Sequence, residues 1–205
     1  MPERARAQAV VDRLNAQHAG QPLFSLTRWE DSYYTATGSF QEQIIQPGEH
    51  DIVVFIFWKR LGTDLPPAFN RVDGTSRTGT EYEFEDARSA RERRADRLPD
   101  VLVYRKTAKI LFNEETVEIE RAQKRALDRF WERWFRSDTG HSIAAFQNFA
   151  DADDLERQLE RDLRDWLRKH QAGKVAWDIQ LLGSPYRGLA AYEEEHAGLD
   201  RKSVV

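Results

Sequence analysis

Asp51-Ile52-Val53-Val54-Phe55-Ile56-Phe57-Trp58 is the stretch on which the fold turns. Its uninterrupted apolar, β-favouring centre has the length of a strand, and a run with no polar alternation is how a parallel strand covered on both faces reads. Val101-Leu102-Val103-Tyr104 is a second such run. Residues 141–149 are a weaker strand candidate, and residues 23–29 a short one that ends in the polar group Trp29, Glu30 and Asp31.

Between these runs the apolar spacing turns helical. Residues 3–17 set Ala7, Val10, Val11 and Leu14 at helical intervals, with Gly20 and Pro22 as the stop. A short helix is expected around residues 40–45, and a charged one over residues 78–95. Residues 117–135 carry Ile119, Ala122, Ala126, Phe130 and Trp134 along one side. Asp151 and Asp154 then open a helix with the stripe Leu155, Leu159, Leu163, Trp166 and Leu167, which ends at residues 170–173. Strands alternating with helices predict right-handed crossovers and a parallel sheet, hence an α/β, three-layer, Rossmann- or flavodoxin-like sandwich. Doubly wound domains usually begin with a strand near the middle of the sheet, whereas this chain begins with the helix. Either the first strand is missing through truncation, or the sheet starts with a different strand order.

Composition limits the function. The 205 residues suffice for one main domain of about 150 residues plus an appendage. With 40% hydrophobic and 32% charged residues, the chain is globular with a heavily charged surface rather than disordered. Basic and acidic residues, 31 against 35, are mixed along the helices without a basic stripe, which argues against a nucleic-acid partner. The absence of cysteine excludes disulfides, thiolate nucleophiles and sulfur-built zinc sites. No apolar run approaches the roughly 18 residues of a membrane span, and the N-terminus is not signal-like, so a cytoplasmic protein without a membrane partner is expected. The five histidines show no metal-ligand spacing, and no metal site is assigned. Nor is there a glycine-rich phosphate loop ending in Lys-Ser or Lys-Thr.

In open parallel sheets ligands bind beyond the carboxyl ends of the strands. Those ends carry Trp29-Glu30-Asp31, Trp58-Lys59-Arg60 and Arg105-Lys106-Thr107, which would share one rim. Strands also end in polar residues simply where they meet water. Residues 59–77, with Gly62, Pro66, Pro67 and Gly74, form a connection longer than usual and are a candidate for function. The helix start after it, Thr78-Gly79-Thr80-Glu81-Tyr82-Glu83-Phe84-Glu85, holds three carboxylates that favour the positive end of the helix dipole. Not all of them can point the same way. One facing the crevice could serve as base, nucleophile or sugar-hydroxyl acceptor, and Glu83 is the first choice.

Further along, Ser184-Pro185-Tyr186-Arg187-Gly188-Leu189 followed by Ala191-Tyr192-Glu193-Glu194-Glu195-His196-Ala197 resembles the opening of the bacterial novel STAND NTPase domain. Residues 200–205 look like a translated sequencing-adapter end, a non-native tail. Residues 51–63, 78–87 and 99–107 resemble the TIR-like domain of unknown function that often precedes STAND NTPases. The organisation this implies is a TIR-like domain over 1–170, a linker over 171–183, the start of a truncated NTPase domain over 184–199 and the tail. That family begins with a strand ahead of a helix like residues 2–17, which favours truncation. Gly79-Thr80 through Glu83 is also similar to the Gly-Thr-x-x-Glu pattern of nucleoside deoxyribosyltransferases, where the glutamate is catalytic; Glu85 departs from it, since those enzymes place glycine there.

For the whole protein the resemblance implies an ATP-driven oligomerising switch in signalling or antiphage defence, often with C-terminal WD-type repeats as sensor. ATP would belong to the absent NTPase domain, and this fragment needs no cofactor. Its partners would be its own NTPase domain and further copies of itself. The leading expectation is a non-enzymatic effector or adaptor domain. The alternative is a TIR-type hydrolase cleaving the N-glycosidic bond of NAD or a nucleotide, with Glu83 catalytic. Trp29, Asp31, Arg60, Thr80, Glu81, Arg105 and Lys106 would then bind the ligand.

Overall fold

A computed structural model describes residues 2–17, 23–28, 43–137, 139 and 141–171. Helix α1 (Pro2–Ala16), strand β1 (Ile52–Phe57), helix α2 (Gly79–Arg93), strand β2 (Asp100–Lys106), helix α3 (Val117–Phe135), strand β3 (Gln147–Phe149) and helix α4 (Ala152–Gln171) follow in that order. β1 pairs parallel with β2 and β2 parallel with β3, in the spatial order β1-β2-β3. Among the described residues the chain is therefore α/β with a three-stranded parallel sheet flanked by helices, consistent with a Rossmann- or flavodoxin-like fold. It divides into two compact units, Met1–Glu156 and Arg157–Val205, with the division inside α4. No helix among the described residues is long and apolar enough to cross a membrane.

Alternation along the strands sends Val53, Phe55 and Phe57 of β1 and Val103 of β2 to one face. There they meet Phe84 and Ala87 of α2 and Leu127, Phe130, Trp131 and Phe135 of α3 in one apolar cluster. Phe55 meets Phe84 edge-on at 5.3 Å, and Phe57 lies 5.3 Å from Phe130 and 5.7 Å from Trp131. The opposite face receives α1, whose Val10 and Leu14 are fully buried and whose Glu3 is paired with Lys106 at the end of β2.

Helix α4 is opened as its sequence predicts. Asp154 N–H donates to Asp151 Oδ1 at 2.8 Å, and Ala150 N–H donates to Asp154 Oδ2 at 3.0 Å, a reciprocal cap. Leu155, Leu159, Leu163 and Leu167 are buried, and Trp166 only partly so. Arg6 of α1 reaches Asp153 at 2.6 Å and Glu156 at 3.1 Å, while Arg13 reaches Glu156 at 2.9 Å.

Several expectations shift. The third strand shrinks from residues 141–149 to Gln147–Phe149, and residues 23–28 do not form a strand. Of the expected helix at 40–45, only residues 43–45 lie among those described: Gln43 is helical, and Ile44 and Ile45 are not. On α3 the apolar side splits: Phe130 enters the core, but Ile119 is 68% exposed and Ala122 is also exposed, while Leu127 and Trp131 are the buried partners. Of the linker expected over 171–183, Gln171 is still the last residue of α4, and the rest, like the NTPase-like segment and the tail, lies outside the described residues.

Candidate functional site

The start of α2 stands beside the C-terminal end of β1. Thr63 carbonyl accepts the Gly79 N–H at 3.3 Å, tying the helix start to the chain just past the strand. Gly62, with φ +108°, lets the backbone pass close to Thr80; a Cβ there would stand 3.4 Å from the Thr80 hydroxyl. Thr78 caps the helix reciprocally: its Oγ1 accepts the Glu81 N–H at 3.2 Å, and its own N–H donates to Glu81 Oε2 at 2.9 Å.

The three carboxylates then separate by helical geometry. Glu81 and Glu85, one turn apart, face the same way and hold the long loop. Arg71 donates through Nη2 to Glu81 at 3.1 Å and to Glu85 at 2.8 Å, and Arg77 donates to Glu85 Oε2 at 2.9 Å. Arg77 also lies over the Tyr82 ring at 4.5 Å, and Phe69 packs edge-on against it at 5.5 Å. Residues 59–77 are therefore fastened to the first two turns of α2. Glu85, the departure from the deoxyribosyltransferase pattern, is the anchor of that fastening.

Glu83 points elsewhere, on the side of Ala87 and Ala90, which are buried. It is half-buried, and no hydrogen bond or ion pair reaches it among the described residues. Burial pushes its carboxyl up from 4.5 to about 7, with the Arg4 charge pulling weakly the other way. A carboxyl with that proton affinity exchanges protons near neutrality, which is the property general acid–base chemistry needs.

Three of the rim cations, Lys106, Lys59 and Arg105, are drawn into the fold. Lys106 Nζ donates to Glu3 at 2.6 Å and lies 4.7 Å from the Trp58 ring centroid; burial pushes the Glu3 carboxyl up, but the hydrogen bond and charge of Lys106 outweigh it and hold the carboxyl below the ordinary glutamate range. Lys59 donates to Glu120 at 2.9 Å, which with the Asn113 N–H lowers the Glu120 carboxyl. Trp58 Nε1 donates to the Ala108 carbonyl at 3.1 Å. Arg105, one residue before Lys106, points to the other face and stacks over Trp131 at 4.7 Å.

Of the residues chosen from sequence, Thr80, Glu81 and Glu83 share one helix start beside the loop after β1. Arg105 and Lys106 part to opposite sides of the sheet, so they do not form one phosphate site. Arg60 is exposed at the end of β1. Trp29 and Asp31 lie outside the described residues. A shallow, open cleft on the outer side of α2 is lined by Arg77, Tyr82, Glu85, Asp86, Ser89 and Arg93, and Glu83 is not among them. Sequence reasoning missed Glu3, Arg71 and Gln123, whose Oε1 accepts the Gly62 N–H at 3.2 Å. Only strand periodicity could have separated Arg105 from Lys106 in advance. No protein-family model, no curated protein and no solved structure matches the chain.

Proposed function

We propose that this chain is the N-terminal signalling or interaction domain of a bacterial STAND-type NTPase, acting as effector or adaptor when the NTPase brings copies of it together. The support for the NTPase context is the resemblance of residues 184–197, and for the domain itself the resemblance of residues 51–63, 78–87 and 99–107 together with a parallel α/β sheet. The observation that carries the non-enzymatic reading is the pairing at the rim. Glu81 with Arg71, Lys106 with Glu3, Lys59 with Glu120 and Arg105 on Trp131 use internally the groups a ligand would need. Cytoplasmic location and a role in antiphage defence belong to the same proposal.

One observation favours the second reading, a nucleotide or NAD N-glycosidic hydrolase. Glu83 is unpaired among the described residues and titrates near neutrality, and Thr80 stands one turn before it. In that reaction Glu83 would stabilise or capture the sugar carbon as the base departs. The test is nicotinamide release from NAD by the assembled protein. The interaction reading expects none; turnover that disappears in Glu83→Gln would replace it with the enzyme reading.

A further inference from the structure

The solvent side of α3 carries apolar residues that the core leaves out. Leu111, Phe112 and Ile119 are 75%, 38% and 68% exposed, and all three lie within nine positions at the start of this helix. Ala122 is exposed one turn on, and Ala126 is half-buried. Single exposed apolar residues need no explanation, whereas a row of them on one helix side marks a contact surface. The row also has a spacing of its own. Glu115, Ile119, Ala122, Ala126, Arg129 and Arg133 succeed one another by alternate steps of four and three, the seam along which two helices pack. It is distinct from the side of Leu127, Phe130, Trp131 and Phe135, which faces the core.

Charge is sorted along the same seam. The helix is entered through Glu114 and Glu115, with Glu118 in its first turn, all three exposed. Arg125, Arg129, Arg133 and Arg136 follow, also exposed, and no carboxylate pairs with any of the four among the described residues. Arg121 is paired with Glu118 at 3.1 Å, and the acids of the basic half are Asp128, held by Lys124, and Glu132. Acids first and cations last is what a helix dipole favours, but that field acts only within the first and last turns. It accounts neither for Arg125 and Arg129, which stand more than a turn before the end of α3, nor for the bare apolar residues.

We infer that this side of α3 is a self-association surface, on which α3 of a second copy lies antiparallel about a two-fold axis. In that register Ala122 of one copy meets Ala126 of the other, Ile119 meets the aliphatic stem of Arg129, and Glu115 meets Arg133; the symmetry repeats each layer. The alanines let the helix axes approach to about 8 Å. A parallel arrangement would set Glu115 on Glu115 and Arg133 on Arg133, and an unrelated acidic partner would face like charge at Glu114, Glu115 and Glu118. One helix side falls short of the roughly 800 Å² per partner that stable complexes bury, so the pair forms at high local concentration. Its use rests on the proposed gathering of copies, since tethering to an assembling NTPase supplies that concentration.

Sedimentation equilibrium at about 0.5 mM, a concentration of the order a tether imposes, tests the surface on four forms of the chain. These are wild type, Glu115→Arg with Glu118→Arg, Arg129→Glu with Arg133→Glu, and all four changes together. Wild type and the fourfold variant dimerise, the wild-type constant weakening about tenfold between about 0.05 M and about 0.5 M salt. Each half-reversed form stays monomeric alone and pairs one-to-one with the other on mixing, which misfolded chains could not do. A monomeric wild type overturns the surface. So do half-reversed forms that dimerise as tightly as wild type, meaning that copies meet elsewhere, or that fail to pair on mixing while circular dichroism shows them folded. Neither NTPase nor ATP is present, so a monomeric chain here leaves nucleotide-driven assembly standing, and that assembly fails or holds separately in the longer polypeptide.

Discussion

Replacing Glu83 with glutamine isolates the one rim carboxylate left without a partner among the described residues. In the unfolded chain the carboxyl titrates near 4.5, and in the fold it rises to about 7. The folded state therefore holds the proton more tightly, and the ionised form is the destabilising one. At about 1.4 kcal/mol per tenfold change in proton affinity, ionisation costs the fold about 3 kcal/mol at pH 8, and solvent reaching the half-buried group trims this toward about 2 kcal/mol. Below pH 4.5 the wild type carries a neutral acid and the variant a neutral amide, so the difference vanishes. The penalty grows as pH rises from 4.5 and levels off above about 7. Glu83→Gln should thus melt about 4–10 °C higher than wild type at pH 8 and together with it at pH 4. Circular dichroism melts at intervals between these limits read the curve. A constant offset across the range, or a less stable variant at pH 8, would refute the burial argument.

Other perturbations test the packing around the rim. Gly48→Ala places a Cβ 2.5 Å from Ala90 Cβ and 2.9 Å from Asp86 Oδ2, so urea midpoints should fall by the equivalent of about 1–3 kcal/mol. Lys106→Met leaves Glu3 buried without its cation and should lower stability by about 3 kcal/mol, much of it regained with Glu3→Leu in the same chain, as a double-mutant cycle will show. Arg71→Ala should release residues 59–77 from α2, seen as faster proteolysis within that loop while β1 and β2 stay protected.

What could be read in advance follows from how local each determinant is. Residues 52–57 announce a parallel strand because six apolar residues in a row suit both faces, although only Phe55 and Phe57 are buried and Val54 is exposed; the bounds of α3 were legible from its helical apolar spacing. Residues 23–29 read equally well as a strand, but the described residues 23–28 form none, because a strand exists only with a neighbouring strand. Ile119 and Ala122 follow helical spacing yet stay exposed, since the first turns of α3 lie outside the apolar cluster that Phe130 enters. At the site, Glu83 could be singled out because the three carboxylates of α2 cannot share one direction. The roles of Glu81 and Glu85 were hidden, because their partners Arg71 and Arg77 arrive through the closure of a long loop. Lys106 was similarly obscured by Glu3, which is 103 residues away.

Sedimentation of the polypeptide extended through the proposed NTPase, with and without ATP, tests the central claim most directly. The account predicts ATP-dependent species of several copies, formed with no breakdown of NAD. A particle of one protomer's mass under both conditions would contradict it.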